Sequence, residues 1–244
     1  MKRVNFIYTL LNSKWKSIGL KFKRVTVVFV PPNHITLERI TVIGSASEET
    51  NREFENNYNS HSFLEIHFES ILFSIHQSKF YNISRIIWIA NKESQIRQIT
   101  DGVFLGIIIQ NNEFIRIRSN NHGGCICIDI PLIIPPFLLA QIKMVNNRFS
   151  DIQTSGQGGA IYISSQLYMA KFNRSIKLEI LNCMFINSKS TVNALGDIFY
   201  SNKVVKVNMK NVSFVQNFRE PYQSQGPVIL CEGEAVLIKV TLEI

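Results

Sequence analysis

Five stretches of the chain carry one order of residue types, apolar-x-apolar-x-Asn-x-x-Phe. They are Phe73-Ile75-Gln77-Phe80, with Gln in place of Asn, then Ile107-Ile109-Asn111-Phe114 and Ile142-Met144-Asn146-Phe149, and finally Leu178-Ile180-Asn182-Phe185 and Val207-Met209-Asn211-Phe214. A further apolar residue stands two places upstream each time: Ile71, Leu105, Ala140, Ile176 and Val205. The Phe-to-Phe steps are 34, 35, 36 and 29 residues. A period of this size restricts the chain to an architecture in which one supersecondary unit stacks on the next. It specifies a fold and no reaction.

Within each unit the apolar residues alternate at two and are rich in Ile, Val and Phe, the pattern of a strand. A second landmark follows each Phe by 9 to 12 residues, at Gly123-Gly124, Gly158-Gly159, Gly196 and Gly226. These lead into further short apolar segments, Cys125–Ile128, Ala160–Ile163, Ile198–Tyr200 and Val228–Cys231; after Phe80 the equivalent is Ile86-Ile87-Trp88-Ile89, without glycine. Three short strands per unit predict an all-β chain, a right-handed parallel β-helix with turns of about 35 residues. Equivalent residues of successive turns would then lie about 4.8 Å apart and form ladders. Stacked Phe rings would fill the core. Asn tolerates the left-handed conformation that a bend needs, and glycine turns the chain with positive φ. Helical repeats share the period but need apolar positions at i, i+3, i+4 and i+7, which are missing here. Leucine-rich repeats share the apolar-x-apolar…Asn order but have a shorter period, about 20 to 29 residues.

The division expected is an irregular N-terminal turn or cap over 1–61 and repeats over 62–244, continuing beyond the C-terminus. Val25, Val27 and Phe29 read as a strand stopped by Pro31-Pro32, and Ile40 and Val42 as another ending at Gly44. Asn51 and Phe54 read as a decayed copy of the repeat. At the other end Val240, Leu242 and Ile244 repeat the apolar triple, which predicts Asn near position 246 and Phe near 249.

At 45% apolar and 18% charged the composition is that of a folded chain. The net charge of +8 would suit an anionic partner, but the cations are scattered except for Lys14, Lys16, Lys21, Lys23 and Arg24. A solvated basic face is expected there, and no nucleic-acid partner. Of the four cysteines, Cys125 and Cys127 are expected on one face of a strand, as small hydrophobes and not as a disulfide or zinc site. No apolar run approaches the roughly 18 residues that span a membrane. The run from Ile128 to Ala140 is broken by Asp129, Pro131, Pro135 and Pro136. Lys2 and Arg3 before the short apolar run Phe6–Leu11 make a poor signal peptide.

Gly158-Gly159-Ala160-Ile161, with Phe214-Val215-Gln216-Asn217 and Phe54-Glu55-Asn56-Asn57, resembles the paired GGA[ILV] and FxxN motifs of the chlamydial polymorphic outer membrane proteins. Phe80-Tyr81-Asn82 and Phe185-Ile186-Asn187 are one residue short, Gly123-Gly124-Cys125-Ile126 has Cys for Ala, and Phe114 and Phe149 lack the Asn. The resemblance covers roughly residues 70 to 235. It implies a pectin-lyase-like β-helix exposed at a cell surface and linked with adhesion. The family's C-terminal membrane barrel is absent from these residues.

β-Helices also host polysaccharide lyases and hydrolases, whose carboxylates stand about 5 to 10 Å apart on adjacent turns. Asp151 and Arg116 each follow their Phe by two, in a row with Asn82, Asn187 and Gln216, so that row holds a single acid. Asp129 and Asp197 have no acidic neighbour one turn away. Of the histidines, His34, His61, His67, His76 and His122, only His61 and His67 have even a weak metal spacing. Gly156-Gln157-Gly158-Gly159 opens no helix that would cradle a phosphate. Three glycosylation triplets begin at Asn82, Asn173 and Asn211; Asn173 suits a glycan best, and Asn211 least because the Asn ladder needs it. The expectation is therefore a non-enzymatic surface or secreted scaffold without catalytic, cofactor or metal residues. Its partner would be a protein or glycan at a cell surface, and any membrane contact would come through a segment outside these residues. The alternative is a polysaccharide lyase or hydrolase, with Asp151 as the first acid to replace.

Overall fold

The structure is a computed structural model that describes residues 4–9, 14–18, 21–23, 25–30, 34–43, 64–67, 71–83, 87–90, 103–119, 122–130, 138–165, 174–190, 198–201, 205–215 and 228–243. These residues contain strands, bends and no helix. The first strands are β1 (Val4–Thr9), β2 (Lys14–Ile18), β3 (Lys21–Lys23), β4 (Val25–Val30), β5 (His34–Glu38), β6 (Thr41–Ile43) and β7 (Leu64–His67). The first two copies of the repeat supply β8 (Ile71–His76), β9 (Lys79–Tyr81), β10 (Ile87–Ala90), β11 (Val103–Gln110), β12 (Glu113–Ile115), β13 (Arg118–Ser119) and β14 (Ile126–Ile130). The next two supply β15 (Leu138–Val145), β16 (Arg148–Ser150), β17 (Gln153–Thr154), β18 (Ile161–Ser165), β19 (Arg174–Leu181), β20 (Met184–Ile186), β21 (Lys189–Ser190) and β22 (Phe199–Ser201). The last are β23 (Val205–Val215), β24 (Ile229–Cys231) and β25 (Ala235–Glu243).

The strands make three sheets, and each strand pairs in parallel with its equivalents in the neighbouring repeats. One eight-stranded sheet runs β1-β4-β7-β10-β14-β18-β22-β24. A 14-stranded sheet runs β2-β5-β8-β11-β15-β19-β23 and returns through β20-β16-β12-β9-β6-β3, with β25 also on β23. It is continuous because β23 is unbroken where earlier repeats divide into two strands. The third sheet is β13-β17-β21. Parallel neighbours need long connections, and the rest of each repeat supplies them. The expectation of an all-β chain in stacked parallel strands holds. Three strands per unit were expected, whereas units with β13, β17 or β21 have four, the extra one a two-residue strand.

Register converts the repeat into rows. Ile35, Phe73, Ile107, Ile142, Leu178 and Val207 align, as do Leu37, Ile75, Ile109, Met144, Ile180 and Met209. All twelve are buried, the most exposed being Val207 at 3%. The Phe row packs face to face, with centroids 5.2 Å apart for Phe80–Phe114, 4.7 Å for Phe114–Phe149, 4.6 Å for Phe149–Phe185 and 4.9 Å for Phe185–Phe214. Burial of each ring contributes about 2–3 kcal/mol.

The rows reach further back than the sequence shows. Val42 stands in the Phe80 row, and Arg39 takes the left-handed place of Gln77, with φ of 53°. The copy before Phe80 is thus built on Val42; Asn51 and Phe54 lie outside the described residues. At the other end the row members are Ala235, Leu237 and Leu242, registered on Val207, Met209 and Phe214. This corrects the reading of Val240, Leu242 and Ile244 as the apolar triple. Lys239 (φ 51°) holds the Asn place and Leu242 the Phe place, so neither signature residue marked the turn.

A bulge recurs before β14, β18 and β22 of the eight-stranded sheet. The N–H groups of Cys125 and Ile126 both donate to the Ala160 carbonyl, and those of Ala160 and Ile161 both donate to that of Ile198. Two consecutive residues are therefore turned inward, and Cys125, Ile126, Ala160 and Ile161 are all 0% exposed. The expectation that Cys125 and Cys127 share a face fails for this reason: Cys125 is in the core with Ile126 and Ile128, and Cys127 lies on the opposite side of β14. The bend relies on Gly123 and Gly158, each at φ 60°, where an added Cβ would meet the carbonyl oxygen of Ile126 or Ile161 at 2.2 Å.

Candidate functional site

The polar residues singled out by the repeat fall into two exposed or half-buried rows of left-handed residues. In the first, Gln77, Asn111, Asn146, Asn182 and Asn211 have φ between 51° and 57°. Their amides form a ladder: Asn146 Nδ2 donates to Asn111 Oδ1 (3.1 Å), Asn182 to Asn146 (3.2 Å) and Asn211 to Asn182 (2.9 Å). Arg39 Nε extends the row by donating to Gln77 Oε1 (3.0 Å). The second row is Asn82, Arg116, Asp151 and Asn187, with φ from 47° to 55°. Asp151 accepts Asn187 Nδ2 at 2.6 Å through its carboxylate, and its carbonyl accepts Arg118 Nη1. The first acid to consider for catalysis is thus held in a turn and hydrogen-bonded along the row. Gln216, next in that row, lies outside the described residues, as does Asp197.

Beneath the Asn ladder runs a second, buried one. Asn112 and Asn147, 1% and 2% exposed, follow the ladder asparagines by one residue. The Ser78 N–H donates to Asn112 Oδ1 (2.9 Å), the Asn112 N–H to Asn147 Oδ1 (3.0 Å), and Asn147 Nδ2 to the Ile109 carbonyl (2.7 Å). Cys183 continues this row, its thiol donating to the Leu181 carbonyl, and burial pushes that thiol up to about 11. These amides satisfy backbone groups that the bend removes from the sheet. Sequence reasoning missed them, although the doublets Asn111-Asn112 and Asn146-Asn147 carry the signal.

The richest chemistry lies on the outer face of the eight-stranded sheet. His122, Tyr162 and Tyr200 stack with centroids 4.6 Å and 5.2 Å apart. The Gln157 N–H donates to His122 Nδ1 (2.9 Å), which leaves the imidazole proton of the neutral ring on Nε2. Tyr200 donates its phenol proton to Glu232 Oε1 (3.1 Å). Burial, reinforced by that carboxylate, pushes the Tyr200 phenol up to about 12. Burial also raises the Asp129 carboxyl, against the opposing effect of His122. Register sets Asp129 beside Ser164 and Ser201 beside Cys231, so Glu232 stands three turns from Asp129 in one row. Three spacings of about 4.8 Å separate the acids by about 14 Å, beyond the 5 to 10 Å of a glycosidase pair. The stacked rings cover one another's faces, so this strip presents ring edges, hydroxyls and carboxylates. That array can recognise a polar partner by hydrogen bonds; it does not pair a nucleophile with an acid.

The other candidates are not brought together. Among the described residues no group of three His, Cys, Asp or Glu could hold a metal, and no helix is long and apolar enough to cross a membrane. His61 and Asn173 lie outside the described residues, and only the backbone of His34 and His67 is described. Asn211 is exposed and bound into the ladder as expected, and Asn82 is half-buried. The basic segment falls on β2 and β3; Lys14 and Lys16 stand in rows occupied in another turn by exposed Gln141 and Lys143, while Arg24 is outside the described residues. Comparison of the chain with known protein families, curated proteins and solved structures finds no match.

Proposed function

We propose that the chain is a right-handed parallel β-helix serving as a non-catalytic scaffold, secreted or exposed at a cell surface, with a protein or glycan partner meeting one flank. Right-handedness follows from the strong preference of parallel crossover connections. One observation carries the functional reading: polar residues here run in ladders along the stack, and the acids Asp129 and Glu232 stand about 14 Å apart. The likeness of Gly158–Ile161 to the repeats of polymorphic outer membrane proteins supports a surface location. The flank bearing His122, Tyr162 and Glu232 is the proposed contact.

The test is to incubate purified protein with cells and with a panel of acidic and neutral polysaccharides, following both binding and chain length. Saturable binding is expected, weakened by His122→Ala or Glu232→Ala and unaffected by Asp151→Asn. Depolymerisation of any polysaccharide that disappears in Asp129→Asn or Asp151→Asn would overturn the reading and establish an enzyme.

A further inference from the structure

Charge is divided unequally between the two large sheets. Every Lys or Arg whose side chain is described stands on the 14-stranded sheet, on β13 or at a bend beside them. The outer face of the eight-stranded sheet has none of them among its described side chains, although the chain carries a net charge of +8. It holds the carboxylates of Asp129 and Glu232 instead. Glu232 is exposed and accepts the Tyr200 hydroxyl on Oε1 at 3.1 Å, which leaves Oε2 without a hydrogen bond among the described residues. Asp129 is half-buried, and its carboxylate has neither a hydrogen bond nor an ion pair among the described residues. A carboxylate taken partly out of water without a partner gains more from an incoming cation than an exposed one does.

The spacing of the two acids selects the kind of ligand. They stand in one row, three turns and about 14 Å apart, so a single ammonium group or a metal ion reaches one of them and not both. An extended polypeptide rises 3.2–3.4 Å per residue, and its side chains at i and i+4 point the same way about 13–14 Å apart. Its length along the stack matches the acids. Other polymers fit less well. The Tyr162 and Tyr200 rings stack 5.2 Å apart and cover each other's faces, which removes the open aromatic platform on which a sugar ring or a base stacks. The carboxylates repel an acidic glycan or a nucleic acid.

We propose that this flank docks a basic segment of a partner protein, laid along the stack in extended conformation with Lys or Arg at two positions four residues apart, one facing Asp129 and the other Glu232. The residue midway between them comes nearest the row position of Ser164, whose hydroxyl is hydrogen-bonded to that of Tyr162. Charge complementarity supplies the attraction, and the three-turn separation supplies the selection among basic sequences. The inference rests on the reading of this flank as the contact surface and narrows its partner from a protein or glycan to a protein of that pattern.

The experiment is fluorescence anisotropy of labelled synthetic peptides titrated with the 244-residue chain. The probe is a short Thr- and Val-rich peptide with lysines at its second and sixth positions. A control moves the later lysine to the fifth position, on the other side of an extended chain. The expected result is saturable binding of the probe that weakens as salt is raised. Affinity is expected to fall about tenfold for the control peptide, and about tenfold for the probe in Asp129→Asn and in Glu232→Gln. Glu232→Lys, at an exposed position, is expected to reject the probe and to bind its counterpart in which one lysine is replaced by Glu. Failure of the probe to bind, equal affinity for the two lysine spacings, or unchanged affinity in either neutral variant would overturn the proposal. Cell or polysaccharide binding that Glu232→Ala abolishes, with no peptide bound, would keep the flank as the contact and remove the basic segment. Cell binding untouched by Glu232→Ala would remove the flank itself.

Discussion

Phe149 is the residue most constrained by its neighbours. Its ring lies between those of Phe114 and Phe185, 4.7 and 4.6 Å away, and is 0% exposed. Phe149→Ala opens a cavity that rigid strands on both sides cannot close, and a loss of about 3–5 kcal/mol is expected in urea unfolding; an unchanged midpoint would refute the stack. Asn147 is constrained by hydrogen bonds instead. Asn147→Ala removes the acceptor of the Asn112 N–H and the donor to the Ile109 carbonyl, leaving both groups buried. A cost of about 1–3 kcal/mol is expected from the same measurement. Replacing the exposed Asn146 by Gly keeps the left-handed backbone and should cost less than Asn147→Ala.

At the level of the element, the bulge before β18 depends on backbone that L-residues avoid. Gly158→Ala places a methyl 2.2 Å from the Ile161 carbonyl oxygen at a φ of 60°. A thermal-unfolding series should show a destabilisation of at least about 2 kcal/mol, and an unaffected protein would mean that the bend is made another way. On β14, burial raises the Asp129 carboxyl. Its protonated form is the one the fold favours, so the stability it contributes is complete below the unfolded value of about 3.9 and is lost as pH rises through the folded value. Asp129→Asn should therefore gain on the wild type as pH is raised from 3 towards 7. Denaturation midpoints whose difference is constant, or changes in the opposite direction, would exclude that burial effect.

For the whole molecule, position along the stack decides what a residue is worth. Leu242 belongs to the row of Phe149, yet it is 61% exposed at the end of that row. Leu242→Ala should cost less than about 1 kcal/mol in dilute monomer, far below Phe149→Ala, although the two share a register. Equal costs in urea unfolding would mean that Leu242 is covered in solution. The parallel topology has another consequence: a polar row along the stack spaces its members by about 4.8 Å per turn. Chemistry requiring two acids therefore needs them on adjacent turns, and Asp129 and Glu232 are three turns apart.

Much of this was legible in the residues. Period-two alternation specified strands, the 34 to 36 residue steps between Phe80, Phe114, Phe149 and Phe185 specified stacking, and Asn at the bends specified the left-handed turns. Those features are local or strictly periodic, and a single chain carries them in full. The tertiary structure decided what depends on register between distant strands. It aligned Val42 and Leu242 with the Phe row, where neither has the signature side chain, and turned Cys125 inward and Cys127 outward because two N–H groups share the Ala160 carbonyl. It also brought His122, Tyr162 and Tyr200 into one strip from three turns. Such contacts form only when strands some 35 residues apart in the chain lie about 4.8 Å apart in space, a relation that periodicity implies for the repeated positions and leaves open for all the others.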